Sequence, residues 1–243
     1  MNILEIIRDY LYVPKCASCR TRMNKNGNGL CDKCLIAYKD AKEDYCDFCG
    51  MAVYICRCLP SKMSAIGCVD YRKLVFYKNG GEFNPVRSII YAIKRRYNIA
   101  LMKYFAKELF DIDGNIDTDT IVTFPPRSVK SKKQYGYDHA EIIAKYYSEI
   151  SGSKFVKLFH RKRMRCKEQK TLDYSQRAVN VKGAFVLYNA SIVKDKNIVL
   201  IDDVVTSGAT ISECADILYK EGAKNVICRS IGYTYRKNKH KKD

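Results

Sequence analysis

The sequence predicts an α/β fold: a parallel sheet with helices on both faces, preceded by a small cysteine-rich, metal-binding module. Three observations carry this. Residues 198–201, Ile-Val-Leu-Ile, are apolar without alternation, the pattern of a strand buried on both faces of a parallel sheet. Other short apolar runs, at 119–124 and 155–159, are separated by stretches of helical periodicity, the alternation of elements that builds such sheets. Eight of the twelve cysteines crowd between positions 16 and 58. The expected division is residues 1–64 for the module and 65–243 for the sheet domain.

In residues 1–12, Glu5, Arg8 and Asp9 interrupt the apolar pattern, which reads as a short amphipathic helix and not as a secretory signal. No apolar stretch approaches the roughly 20 residues that cross a bilayer. The expected location is therefore the cytoplasm, where thiols stay reduced. The cysteines then fall into Cys16-x-x-Cys19 with Cys31-x-x-Cys34, and Cys46-x-x-Cys49 with Cys56-x-Cys58. A Cys-x-x-Cys turn brings two thiolates to one metal, and two such pairs complete the tetrahedral sulfur set of structural zinc. One or two zinc ions are expected. Two sites, 16/19/31/34 and 46/49/56/58, are the preferred arrangement, although an interleaved pairing satisfies the same spacing. So short a segment has little apolar core, and metal ligation supplies the missing stability. Cys68, Cys214 and Cys228 stand apart and read as small buried apolar residues.

The sheet domain begins with two expected strands, 65–71 and 73–77, arranged as a hairpin. Asn79-Gly80-Gly81 is a turn, and Asn84 caps a helix with Pro85 at its first position. Val86, Ile89, Ile90 and Ile93 form that helix's apolar face, and Ile99, Met102, Phe105, Ala106 and Leu109 that of the next. The strand at 119–124 ends in Pro125-Pro126-Arg127, followed by a basic loop with Lys132 and Lys133. Asp138 and Glu141 have capping-box spacing at the head of another helix. A strand end, a cationic loop and a helix N-terminus together suit an anion. His139 and His160 read as surface or capping residues. Residues 160–181 are long, basic and poor in apolar side chains, which suits a lid over a site.

The stretch after the central strand carries the chemistry. Asp202 and Asp203 follow the apolar run directly, and then come Val204, Val205, Thr206, Ser207, Gly208, Ala209 and Thr210. Ligands of open α/β sheets bind beyond the carboxyl ends of strands. A small-residue turn at a helix N-terminus cradles a phosphate with backbone N–H groups. Adjacent carboxylates suit the hydroxyls of a ribose or a hydrated Mg²⁺. The combination points to a ligand with a sugar diol on one side and a phosphate on the other.

These residues resemble the motif by which type I phosphoribosyltransferases bind phosphoribosyl pyrophosphate (PRPP). The resemblance implies that Asp202 and Asp203 face the ribose and act at the catalytic centre with Mg²⁺. It also implies that Thr206 to Thr210 wrap the 5′-phosphate, with Val204 and Val205 in the same PRPP-binding stretch, and that Pro126, Arg127, Lys132 and Lys133 form the pyrophosphate loop. With the cysteine knuckles and the Ile90-x-x-x-Lys94 helix end, the chain is similar nearly end to end to the ComF competence family. Its lid would use Arg161, Gln169 and Arg177. Family resemblance implies a role in natural transformation, with single-stranded DNA and DNA-uptake machinery proteins as partners. One departure stands out: where the family commonly reads Arg-Gly-Phe-Asn-Gln, this chain has Tyr135-Gly136-Tyr137-Asp138-His139. That sets a carboxylate beside the pyrophosphate position.

The formal net charge is +18, which favours phosphorylated or polyanionic partners. Nineteen tyrosines accompany 44 Lys and Arg, the stacking-plus-charge combination of single-strand binders. A basic groove is expected from residues 130–133 and 154–170, with Tyr135 and Tyr137 beside it. Three functions fit: a DNA-uptake protein that binds PRPP, an active phosphoribosyltransferase, and a PRPP-sensing regulator. Sequence alone leaves transferase activity open.

Overall fold

The structure, a computed structural model, describes residues 13–23, 27–60, 63, 70–77, 85–162 and 181–234. The elements in order are α1 (Asp32–Lys42), β1 (Asp70–Tyr77), α2 (Pro85–Arg95), α3 (Ile99–Asp113), β2 (Ile121–Thr123), α4 (Val129–Tyr135) and α5 (His139–Ser151). There follow β3 (Lys154–Phe155), β4 (Phe159–Arg161), β5 (Phe185–Leu187), β6 (Asn197–Val205), α6 (Ala209–Lys220) and β7 (Asn225–Thr234). Five strands form one sheet in the order β1-β7-β6-β2-β3. Every pairing in it is parallel. The strands β4 and β5 make a separate antiparallel pair.

The apolar run in β6 has the predicted cause. Val199 and Ile201 join a core with α2, α3 and α5, while Ile198 and Leu200 join a second core with α6. A strand that feeds both cores cannot alternate polar and apolar residues. Each such side chain gains roughly 1.5–3 kcal/mol from burial. The helices of the first core carry the stripes read from the sequence, and Asn98 caps α3 by accepting from the Leu101 N–H at 3.0 Å.

The cysteine-rich segment packs on this sheet. Cys16, Ala17, Leu30, Cys34 and Tyr38 belong to the same buried cluster as α2, α3 and α5. Tyr38 donates to Glu108 at 3.2 Å, and its ring meets Phe105 edge-on at 5.3 Å. The second cysteine set sits against β1. There the buried Lys73 ammonium donates to the Cys56 carbonyl, the Cys56 Sγ and the Cys58 carbonyl at 3.0–3.2 Å.

Several local expectations are corrected. Residues 70–77 form one continuous strand, not the two halves of a hairpin, and it pairs parallel with β7. Lys73, expected to open the second strand, is fully buried because the cysteine segment covers it. The run 155–159 is split between β3 and β4. The basic loop contains α4, capped by the Ser128 hydroxyl accepting from the Ser131 N–H. Asp138 makes no capping bond within α5; its Oδ2 accepts from the Arg127 N–H at 2.8 Å. His139 is 0% exposed, not a surface residue. The amphipathic helix at 1–12, Cys68, the turn at 79–81 and Asn84 lie outside the described residues.

Candidate functional site

The sheet delivers its chemistry at the carboxyl end of β6, beside β2. Gly208, with φ +79°, turns the chain from strand into α6. The turn and the first residues of α6 line a cavity of about 280 Å³ together with Asp202, Val181 and Arg161. The early N–H groups of a helix have no partners inside it, and α6 begins at this space, with the Ala209 N–H donating to the Ser207 hydroxyl at 3.4 Å. Ser207 and Gly208 are buried, and Thr206 is exposed at the rim.

The two carboxylates part company. β6 runs on to Val205 instead of ending at Ile201, and successive strand side chains point to opposite faces. Asp202 lines the cavity. Asp203 forms an ion pair with Arg127 at 2.9 Å. Burial, and then the neighbouring Asp203 charge, raise the Asp202 carboxyl well above the usual carboxylate range. Burial also works to raise Asp203, but Lys94, Arg127 and His139 outweigh it and hold that carboxyl low. The pair therefore offers one anchored carboxylate and one carboxyl that readily keeps a proton.

The predicted pyrophosphate residues have partners of their own. Pro126 is buried at the end of β2, and the Arg127 guanidinium is spent on Asp203. Lys132 lies 3.7 Å from Asp138 and 4.0 Å from Glu141. Lys133 is exposed on α4. Asp138 is buried, which raises its carboxyl despite the Arg127 N–H and Lys132. Tyr137 is held edge-on between Tyr97 and His139, at 5.1 and 4.5 Å, so its ring is already packed. The Tyr135 ring lies 5.8 Å from the Arg127 guanidinium.

Of the predicted lid residues, Arg161 is placed at the cavity, with its guanidinium over the Phe185 ring at 5.2 Å. Gln169 and Arg177 lie outside the described residues, as does most of the basic run 154–170. Two groups escaped prediction from sequence, apart from Lys94's place in a helix-end pattern. Lys94, in the last turn of α2, and His139 both act on the Asp203 charge. A lysine at a helix C-terminus near strand ends was the available signal for the first. His139 had none, because its burial comes from tertiary packing.

The eight predicted cysteines gather into two groups, Cys16, Cys19, Cys31 and Cys34, and Cys46, Cys49, Cys56 and Cys58. Within each, the Sγ atoms lie within 4.8 Å of one another. The preferred pairing is thus the observed one. Four sulfurs at this spacing, with no fifth ligand in either group among the described residues, fit a closed structural ion, and the Lys73 ammonium at the Cys56 sulfur offsets thiolate charge. Cys214 and Cys228 are buried at 0% exposure, as expected.

Residues 162–243 match the phosphoribosyl transferase domain family. That span holds β5, β6, the cradle, α6 and β7, and so includes Asp202 and Asp203 but not Arg127. Over 224 residues the chain is 23% identical to competence protein F of Haemophilus influenzae, covering 87% of this chain and 93% of that protein. Among solved structures it is similar to an allosteric regulatory enzyme of purine biosynthesis, with 20% identity, 53% of this chain covered and a TM-score of 0.37. It spans 25% of that longer chain. Adenine phosphoribosyltransferase from Saccharomyces cerevisiae is 14% identical, over 63% of this chain and 74% of that one, with a TM-score of 0.35. Within the matched span, the turn and Asp202 are sequence neighbours that the fold also brings to one cavity. Among the described residues, no helix is long and apolar enough to cross a membrane.

Proposed function

We propose that the protein binds PRPP with Mg²⁺ at the carboxyl end of β6 and acts in natural competence, in the handling of incoming single-stranded DNA. One observation carries the PRPP reading: Asp202 and the 206–210 turn line the same cavity. The N–H groups of the turn would hold the 5′-phosphate and Asp202 a ribose hydroxyl. Arg161 would close over the ligand from the β4–β5 side. Mg²⁺, when bound, would neutralise the pyrophosphate charge. The similarity to competence protein F supports the uptake role, and the +18 charge supports a polyanionic partner.

The cations beside the pyrophosphate position favour holding over fast turnover. Arg127 is paired with Asp203, and Lys132 faces Asp138 and Glu141. Charge already matched by carboxylates stabilises a departing pyrophosphate less. Calorimetric titration with PRPP plus Mg²⁺, ribose 5-phosphate and pyrophosphate tests the reading. PRPP should bind, ribose 5-phosphate more weakly, and Asp202→Asn should weaken PRPP at least tenfold, about 1.4 kcal/mol. Asp202 is the residue to change, since removing Asp203 would strand Arg127 without its partner. No PRPP heat, or an unchanged affinity in Asp202→Asn, overturns the assignment. Release of pyrophosphate with an added nucleobase would instead establish an active transferase.

A further inference from the structure

Away from the cradle, a cavity of about 440 Å³ opens between the first cysteine knuckle and the corner joining α2 to α3. Its charged lining is all of one sign: Lys15, Arg20, Arg22 and Arg96. Among the described residues, none of the four meets a carboxylate within ion-pair distance. Lys15 and Arg22 are held opposite each other on an antiparallel bridge. Arg96 is pinned by donating to the Ala17 carbonyl at 3.1 Å. Tyr97 forms part of the wall and is 61% exposed. Four uncompensated cations in one concavity repel one another, an arrangement that a bound polyanion relieves.

The backbone adds a second observation. Arg20 has φ +68°, one of only two non-glycine residues with positive φ among those described. The second knuckle repeats the same turn: Gly50 follows Cys49 as Arg20 follows Cys19, with φ +66°. Both N–H groups bond back to the first cysteine of their knuckle, Arg20 to the Cys16 carbonyl at 3.0 Å and Gly50 to the Cys46 carbonyl at 2.8 Å. Glycine adopts this conformation freely, whereas an arginine there is strained. Strained residues cluster at functional sites, and this one places an arginine in the cavity wall.

We propose that this cavity binds phosphate groups of a polyanion, through Lys15, Arg20, Arg22 and Arg96, with Tyr97 available to stack a base. The chemistry is that of phosphodiesters in a single strand or of a free polyphosphate chain. It does not depend on what the cradle binds.

Fluorescence anisotropy of a labelled oligothymidylate on the full chain, with tripolyphosphate as competitor, tests the site. Arg20→Gly copies the second knuckle. It should keep the metal content and hold or raise the Tm, yet weaken binding and reduce the single-strand salt slope by about 0.7 for each phosphate it no longer neutralises. Lys15→Ala and Arg22→Ala added to it should deepen the loss. An effect that grows with oligonucleotide length identifies a strand as the ligand. Equal losses for tripolyphosphate at any length identify free polyphosphate. Unchanged affinity of the triple variant for both ligands overturns the proposal.

Discussion

Gly208→Ala offers a quantitative test of how the cradle is built. A Cβ at Gly208 would come within 2.8 Å of Met63 Cγ and 3.1 Å of Pro60 Cβ. Ordinary carbon contacts lie near 3.5–4.0 Å. Met63 is 0% exposed, so its side chain has nowhere open to go. The substitution therefore carries two costs. Holding alanine at φ +79° costs about 1–2 kcal/mol, and overpacking a filled core costs about 1–3 kcal/mol. Gly136 provides the control, since it has nearly the same backbone (φ +77°, ψ −11° against +79°, −2°) but nothing within 4 Å of an added Cβ. Gly136→Ala should show the backbone cost alone. With about 2–4 °C per kcal/mol for a chain of this size, Gly136→Ala should lower the Tm by about 2–8 °C and Gly208→Ala by about 4–20 °C. PRPP calorimetry should show impaired binding for Gly208→Ala. Equal Tm shifts for the two would refute the argument that the segment after the second cysteine set presses on the phosphate turn.

Elemental analysis should find about two metal ions per chain, one for each sulfur set. Cys16→Ser with Cys19→Ser should remove one, and Cys46→Ser with Cys49→Ser the other; a full complement in either double variant would contradict four-sulfur ligation. His139 should make stability depend on pH. Burial, and then Arg127, pull it from 6.5 to about 4, so its stabilising contribution is complete above 6.5 and is lost as pH falls toward 4. Urea unfolding should show about 1 kcal/mol lost between about pH 6.5 and 5.5, a loss absent in His139→Gln; an identical loss in that variant would exclude the histidine as its source. Arg127→Ala should cost about 3–5 kcal/mol by leaving Asp203 buried without its ion-pair partner, and a stability within about 1 kcal/mol of wild type in chemical denaturation would mean that Lys94 alone suffices.

The parts of the fold legible in the sequence were those set by local pattern. β6 declared itself because two-sided burial removes alternation, and the cysteine sets because ligand spacing is short-range. What escaped depended on distant neighbours. The sequence around β1 reads as two short strands parted at Arg72, with Lys73 opening the second. Yet Arg72 donates to the Ile112 carbonyl at 3.0 Å, and Lys73 is covered by a segment 15 to 17 residues earlier. The short helix α4 has no apolar stripe, and its Val129 is exposed, so periodicity could not reveal it. At the site, the adjacency of Asp202 and Asp203 was plain, but their different neighbours followed from β6 running on to Val205, past the end of the apolar run at Ile201.

The buried Lys73 ammonium bears on how this protein can be cut. A chain begun at residue 65 would keep every strand of the sheet and all of the cradle. It would also lose the Cys56 and Cys58 atoms to which that ammonium donates, and it would bare apolar side chains that the segment covers, Phe76 beside Cys46, Val53 and Cys56 among them. The ammonium would then meet water at little cost, whereas each large apolar side chain returned to water forfeits roughly 1.5–3 kcal/mol, a sizeable part of the margin by which a domain stays folded. Trimming the cysteine segment to obtain a minimal sheet domain should thus yield insoluble protein. Lys73→Met in the trimmed chain should not restore solubility, since it would add one more apolar side chain to the bared face.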